Sequence, residues 1–135
     1  MDLTDSLKIS ASGLKAQGTR LRIIAENLAN ADSTSKSAGG DPYRRKVVTF
    51  RNVLDRELGV DMVETNKPAT DKTPFETRYD PSNPGADAKG YVKLPNVNTL
   101  IELADMREAE RSYEANLKAI EASRTMLQKA IDILR

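Results

Sequence analysis

The amino-acid sequence predicts a mainly α chain with a small β-rich insertion: long N- and C-terminal helices paired as a coiled coil, with a loop-rich, β-containing segment between them. Three observations predict it. Leu7, Leu14, Leu21 and Leu28 recur every seven residues near the N-terminus, and Met106, Tyr113, Ile120, Leu127 and Leu134 repeat that spacing near the C-terminus. Such a repeat holds one stripe of a helix against a partner along its length. Between the two ladders the chain changes character, with short β-branched runs set among Pro42, Pro68, Pro74, Pro81 and Pro84. The expected division is 1–31 for the N-terminal helix of the coiled-coil core, 32–95 for the loop and β-rich middle, and 96–135 for the C-terminal helix.

Residues 3–31 read as the first helix. Ala11, Gly18 and Ala25 take its second seam position, with Ile24 at the edge. Their small size lets a partner backbone come close. Gly13 and Gly18 each cost about 1 kcal/mol in a helix interior, so this helix relies on packing. Residues 32–46 carry Asp32, Ser33, Thr34, Ser35, Ser37, Gly39 and Gly40 and read as a mobile loop. It ends in the polar run Tyr43-Arg44-Arg45-Lys46, expected to be solvated or to face another subunit.

In the middle, Val47-Val48-Thr49-Phe50 reads as a strand and Val60-Asp61-Met62-Val63 as a second, with Thr77-Arg78-Tyr79 and Tyr91-Val92-Lys93-Leu94 as shorter ones. Asp80, Asn83 and Asp87 lack the ligand spacing and terminal Glu of a calcium-binding loop and read as turn formers. Residues 99–134 read as one long helix. Thr99 with Glu102 has capping-box spacing, and Asn96 and Asn98 are alternative caps. The seam of this helix runs Leu103, Met106, Glu110, Tyr113, Leu117, Ile120, Arg124, Leu127, Ile131, Leu134. Glu110 and Arg124 interrupt it, as register-fixing polar residues do. Its large knobs are expected to meet the Ala11, Gly18 and Ala25 row.

Composition narrows the function. Lys and Arg number 21 against 20 Asp and Glu, so no net field draws the chain to nucleic acid or a bilayer. There is no cysteine for disulfide, zinc or thiol chemistry, and no histidine, the commonest metal ligand and general base. No nucleophile elbow or phosphate loop occurs. We therefore expect no enzyme, no metal, no cofactor and no small-molecule substrate. The first residues hold neither a basic cluster nor an apolar run, and no stretch approaches the roughly 18 apolar residues of a membrane span. That leads to the expectation of a cytoplasmic protein, or of export by a route that reads no cleaved signal. With no Trp and few aromatic residues, one chain is poorly equipped to cover two long apolar stripes. Their ordering is expected to depend on neighbouring copies or relatives.

The segment Ala25-Glu26-Asn27-Leu28-Ala29-Asn30-Ala31 resembles the A-x-N-L-A-N box of flagellar rod and hook axial proteins. Three further stretches are similar to that family in order: Tyr43 to Phe50, Gly90-Tyr91-Val92-Lys93-Leu94-Pro95-Asn96-Val97-Asn98, and Arg111-Ser112-Tyr113-Glu114-Ala115-Asn116 with its Y-x-A-N element. The family's T-x-G-Y turn is absent. The Ser33–Pro42 insertion and the short middle resemble the proximal-rod type. The resemblance implies a structural subunit of the bacterial flagellar basal body that stacks helically with copies of itself and with other rod proteins to transmit motor torque. It implies a rod crossing the periplasm, joined indirectly to the inner-membrane ring, and type III export without a cleaved signal peptide. Asn27, Asn30 and Asn116 are the residues whose amides would cross-link subunits. The alternative reading is a free-standing coiled-coil adaptor. A carboxylate-metal hydrolase using Asp80 and Asp87 is remote.

Overall fold

A computed structural model describes residues 2–134; Met1 and Arg135, the outer bounds of the expected division, lie outside the described residues. Among the described residues the chain forms two helices and six short strands. In order these are α1 (Leu3–Ala29), β1 (Lys46–Val47), β2 (Phe50–Asp55), β3 (Val60–Thr65), β4 (Ala69–Thr70), β5 (Glu76–Tyr79), β6 (Tyr91–Leu94) and α2 (Thr99–Ile133). The strands make three separate antiparallel ribbons, β1–β4, β2–β3 and β5–β6.

Both helices begin on a polar cap. The Asp2 carboxylate accepts from the Leu3 amide, and Asp5 reaches back to the Asp2 amide. At α2 the cap is Asn98, whose Oδ1 accepts from the Leu100 and Ile101 amides at 3.0 and 3.2 Å. The Thr99–Glu102 capping box does not form, because the Glu102 side chain is turned into the protein. α1 closes at Asn30, which donates to the Glu26 carbonyl while its own carbonyl accepts from Ser33.

The expected 47–50 strand is divided. Val47 pairs with Ala69, Val48 and Thr49 belong to no strand, and Phe50 opens β2. Asn66 closes around Thr49 through backbone and side-chain hydrogen bonds, which turns the chain there. β2 and β3 pair from Phe50↔Thr65 to Asp55↔Val60. Their turn works because Gly59 takes a φ of +66°, open to glycine, and donates to the Asp55 carbonyl. The expected strands at 60–63, 77–79 and 91–94 fall within β3, β5 and β6.

The chain divides into two compact units. The first holds the described parts of Met1–Leu21, Val48–Lys67 and Arg107–Arg135. In it α1 and α2 pack antiparallel: the Ser6 and Ser123 hydroxyls meet at 3.4 Å, Gly13 faces the Asn116 amide, and Arg20 pairs with Glu108 at 3.5 Å. The β2–β3 ribbon lies on the other side of α1. There the Ser12 hydroxyl donates to Ile9 and accepts from the Val63 amide. Ala16, Ala109, Ser10 and Ser123 are its buried residues.

The second unit holds Arg22–Val47 and Pro68–Met106. Ile23, Ile24 and Val92 are its buried apolar residues, and Asn27 and Glu102 are buried with them. The 32–46 segment, expected to be mobile, is irregular but tied down. Gly39 donates to the Gly85 carbonyl, Thr34 donates to Asn83, and the Tyr43–Lys46 run is bonded at every residue. Asp80, Asn83 and Asp87 serve as turn formers, accepting from Ser82, Gly85, Lys89 and Tyr91.

Candidate assembly surface and its supporting network

In the second unit a polar network joins α1, the 43–46 segment and α2. Asn27 is 1% exposed. Its Oδ1 accepts from the Tyr43 hydroxyl at 2.8 Å and the Lys46 amide at 2.9 Å; its Nδ2 donates to the Lys46 carbonyl at 2.8 Å and to Glu102 at 3.1 Å. Those four bonds use everything a side-chain amide offers. Asn27 therefore has no amide group left to cross-link a neighbouring subunit, contrary to the expectation from sequence. Asn116 donates to its own helix at Ser112, and Asn30 to Glu26.

Glu102 is fully buried and accepts from Arg45 Nε at 2.5 Å. The same guanidinium lies 3.4 Å from Asp71 and 3.6 Å from Asp105. Burial pushes the Arg45 guanidinium down, but its bonds to Glu102 and Asp71 outweigh that and hold it above its ordinary range. Asn96 accepts from the Arg45 amide and donates to the Asp71 and Thr73 carbonyls. Burial, with Glu26 and Glu102 nearby, raises the Tyr43 phenol to about 12. Lys46 pairs with Glu26. Arg44 lies 4.1 Å over the Phe75 ring and donates to the Asp71 carbonyl. The 43–46 run is thus half-buried and bonded within its own chain at every residue.

The sequence-derived seam is largely on the outside. On α2, Leu103, Tyr113, Leu117, Leu127, Ile131 and Leu134 are exposed, Leu117 by 41%, and Met106 and Ile120 are half-buried. In the first unit α2 instead turns Ala109, Ser112, Asn116 and Ser123 inward, a row of small and polar residues beside the apolar one. On α1, Leu7, Leu14, Leu21 and Leu28 are half-buried and Ile24 is buried, while Ala11 and Ala25 are exposed. Nothing lies within 4 Å of a Cβ built on Gly18. The close approach falls at Gly13, where such a Cβ would lie 2.9 Å from the Asn116 amide. Of the remaining motif residues, Leu28 is half-buried, Ala29 exposed, Tyr91 half-exposed against Tyr79, and Pro95 buried.

Sequence reasoning misses Arg45 and Glu102 as a pair. Spacing places Glu102 in a cap, and no local signal says that a first-turn carboxylate will be buried. Among the described residues no three metal-ligating side chains cluster, and no helix is long and apolar enough to cross a membrane.

The arrangement has positioning chemistry inside and an unfilled apolar face outside. The chain is 53% identical to the flagellar basal-body rod protein FlgC of Agrobacterium fabrum over 133 residues, which is 98% of this chain and 96% of that one. This chain belongs to the FlgC family of flagellar basal-body rod proteins. The FlgC protein of Bacillus subtilis is 40% identical over 95% of each chain, and that of Borreliella burgdorferi is 37% identical over 100% of this chain and 99% of its own. Two family models match as well: the flagella basal body rod protein model over residues 7–35, and the C-terminal model of the flagellar basal body rod FlgEFG proteins over 88–133. In this FlgC-family chain the first match contains Asn27 and Asn30, and the second contains most of α2 with its exposed face. The family is structural, and its place is the flagellar basal body.

Proposed function

We propose that this chain is a subunit of the proximal rod, stacking helically with copies of itself and with other rod proteins so that motor torque passes through it. Its terminal helices pair as a coiled-coil core in the assembled rod, the 32–95 region lies outside that core, and the chain reaches the periplasm by type III export without a cleaved signal peptide. It carries no catalysis, takes no cofactor or nucleic acid, inserts into no membrane, and meets the inner-membrane ring only indirectly.

One observation carries this reading. α2 spends its small, polar row on its own chain and leaves its large apolar row uncovered. Contiguous exposed apolar surface on this scale marks a place for a partner.

The test is Leu117→Asp. Because Leu117 is already 41% exposed, the isolated protein should keep its circular dichroism and solubility while cells carrying it as sole copy stop swimming. Normal swimming would overturn the assignment of the face. Ile120→Asp provides a second site on the neighbouring row.

A further inference from the structure

We infer that two free copies of this chain pair antiparallel across the open face of α2, Arg124 of each meeting Glu110 of the other, in a closed four-helix dimer.

The face spans both helices of the first unit. Gly13 of α1 faces Asn116 of α2, and successive helix residues turn by about 100°. Ser12, before Gly13, bonds the β2–β3 ribbon, so Leu14, after it, stands on the side away from the ribbon. In an antiparallel helix pair the residue after each contact falls on the same side. Leu7 and Leu14 therefore share that side with Glu110, Leu117 and Arg124. Tyr113 and Leu117 are exposed there, and Leu7, Leu14 and Ile120 are half-buried.

The two charges that interrupt this apolar surface select both the occupant and its direction. Arg124 is exposed and has no ion pair among the described residues. Glu110 has Arg107 of its own helix at 3.7 Å, with both side chains largely in solvent, and such pairs are worth little. A parallel second copy would set Glu110 against Glu110 and Arg124 against Arg124. An antiparallel copy sets Leu117 opposite Ile120, Tyr113 opposite Arg124 and Glu110 opposite Leu127. Each Arg124 then lies one layer from the other copy's Glu110, twice by symmetry. On the outer flank Arg107 passes Gln128, and Glu114 passes Glu121. Lys118, bonded to Glu114 at 2.9 Å, lies one turn from both of those acids on its own helix and offsets them.

α1, which had no part in choosing this register, agrees with it. Antiparallel two-fold symmetry puts both α1 helices on one flank, open sides facing. The Ser6–Ser123 and Gly13–Asn116 contacts fix the level of each α1 residue along α2. At those levels Leu7 of either copy comes opposite Leu14 of the other. Ser10, Gln17 and Gly18 beside them carry no charge.

A two-fold contact buries the same patch on both copies and stops at two. It covers the face that a rod neighbour needs, so it is a form of the free chain that gives way on stacking, and it does not rest on the rod reading.

Sedimentation equilibrium of the purified chain, at low salt and up to about 100 μM, should show a monomer–dimer equilibrium. Glu110→Arg or Arg124→Glu alone should weaken the dimer at least about tenfold, and the two together should return it to within about threefold of the parent. Both positions are exposed, so circular dichroism should hold in all three. Monomer throughout, or open-ended oligomers, would overturn the pair. So would a dimer indifferent to either reversal, or one that the exchange fails to restore. Should a reversal lose helix content, Glu110→Gln and Arg124→Gln read the same coupling: their combined loss should be less than the sum of the single losses, and strict additivity sinks the proposal.

Discussion

Asn27 makes four hydrogen bonds, to Tyr43, Lys46 and Glu102, while 1% exposed, so its side chain is held at every polar atom. Truncating it orphans a buried carboxylate oxygen and the backbone of Lys46, and leaving buried groups unpaired costs roughly 1–3 kcal/mol each. Asn27→Ala should therefore lose about 3 kcal/mol in urea unfolding, whereas Asn30→Ala, which frees only a helix-end carbonyl, should lose about 1 kcal/mol. Two carboxylates, Asp71 in the network and Asp87 in the turn before β6, tie stability to pH. Asp71 is held below its ordinary range by bonds from Thr73 and then Arg45, and Asp87 by the amides of Tyr91, Lys89 and Gly90. Their contribution is fully present above the unfolded value near 3.8 and is lost as pH falls below it, so stability should decline on acidification through that region. Tyr43 acts in the opposite direction. Its contribution is complete below pH 10 and is lost as pH rises toward about 12. In an alkaline titration followed at the phenolate band, Tyr43→Phe should remove the latest phase.

At the scale of elements, hydrophobic periodicity finds both helices and three of the strands but assigns the wrong row to the contact between helices. The reason is physical. A seven-residue apolar ladder says that a face is buried somewhere, not which chain buries it. The row that α2 turns inward contains Ala109, Asn116 and Ser123, which a search for large apolar residues passes over. The overlooked signal is the spacing of small residues opposite Gly13. The 47–50 strand fails because β-branched residues favour extended backbone without specifying which ribbon they join. The candidate site is less legible still: Arg45 and Glu102 lie far apart in sequence, and neither has a neighbour that foretells a buried ion pair. The two helix glycines now separate by experiment. Gly18 has open space around its Cβ position, so Gly18→Ala should stabilise the isolated chain by about 1 kcal/mol through helix propensity. At Gly13 the same gain is opposed by the Asn116 amide. Gly13→Ala should be nearly neutral alone and should recover about 1 kcal/mol in an Asn116→Ala background, a coupling that a double-mutant cycle reads directly.

For the molecule as a whole, stability should be uneven. The second unit has a knot of buried hydrogen bonds and ion pairs, whereas among the described residues every one of α2 beyond Ser123 is exposed. Helix without packing opens readily. In dilute protein the amides of residues 124–134 should exchange fast while those around Asn27 and Val92 exchange slowly, and incorporation into rods should slow the former. Slow exchange throughout a dilute sample would show that the helix end needs no neighbour.

The antiparallel pairing in the first unit sets Ser6 against Ser123, so the beginning of one helix and the far part of the other leave the pair at the same end. Tension applied to the two free strands there would open the contacts one after another, like a zipper, instead of loading them all at once in shear. With serines, a glycine and an asparagine along the join, each step gives little resistance. A chain drawn lengthwise through a narrow conduit would come apart at low force from that end, and it could close again without having to extract a tightly interlocked leucine seam.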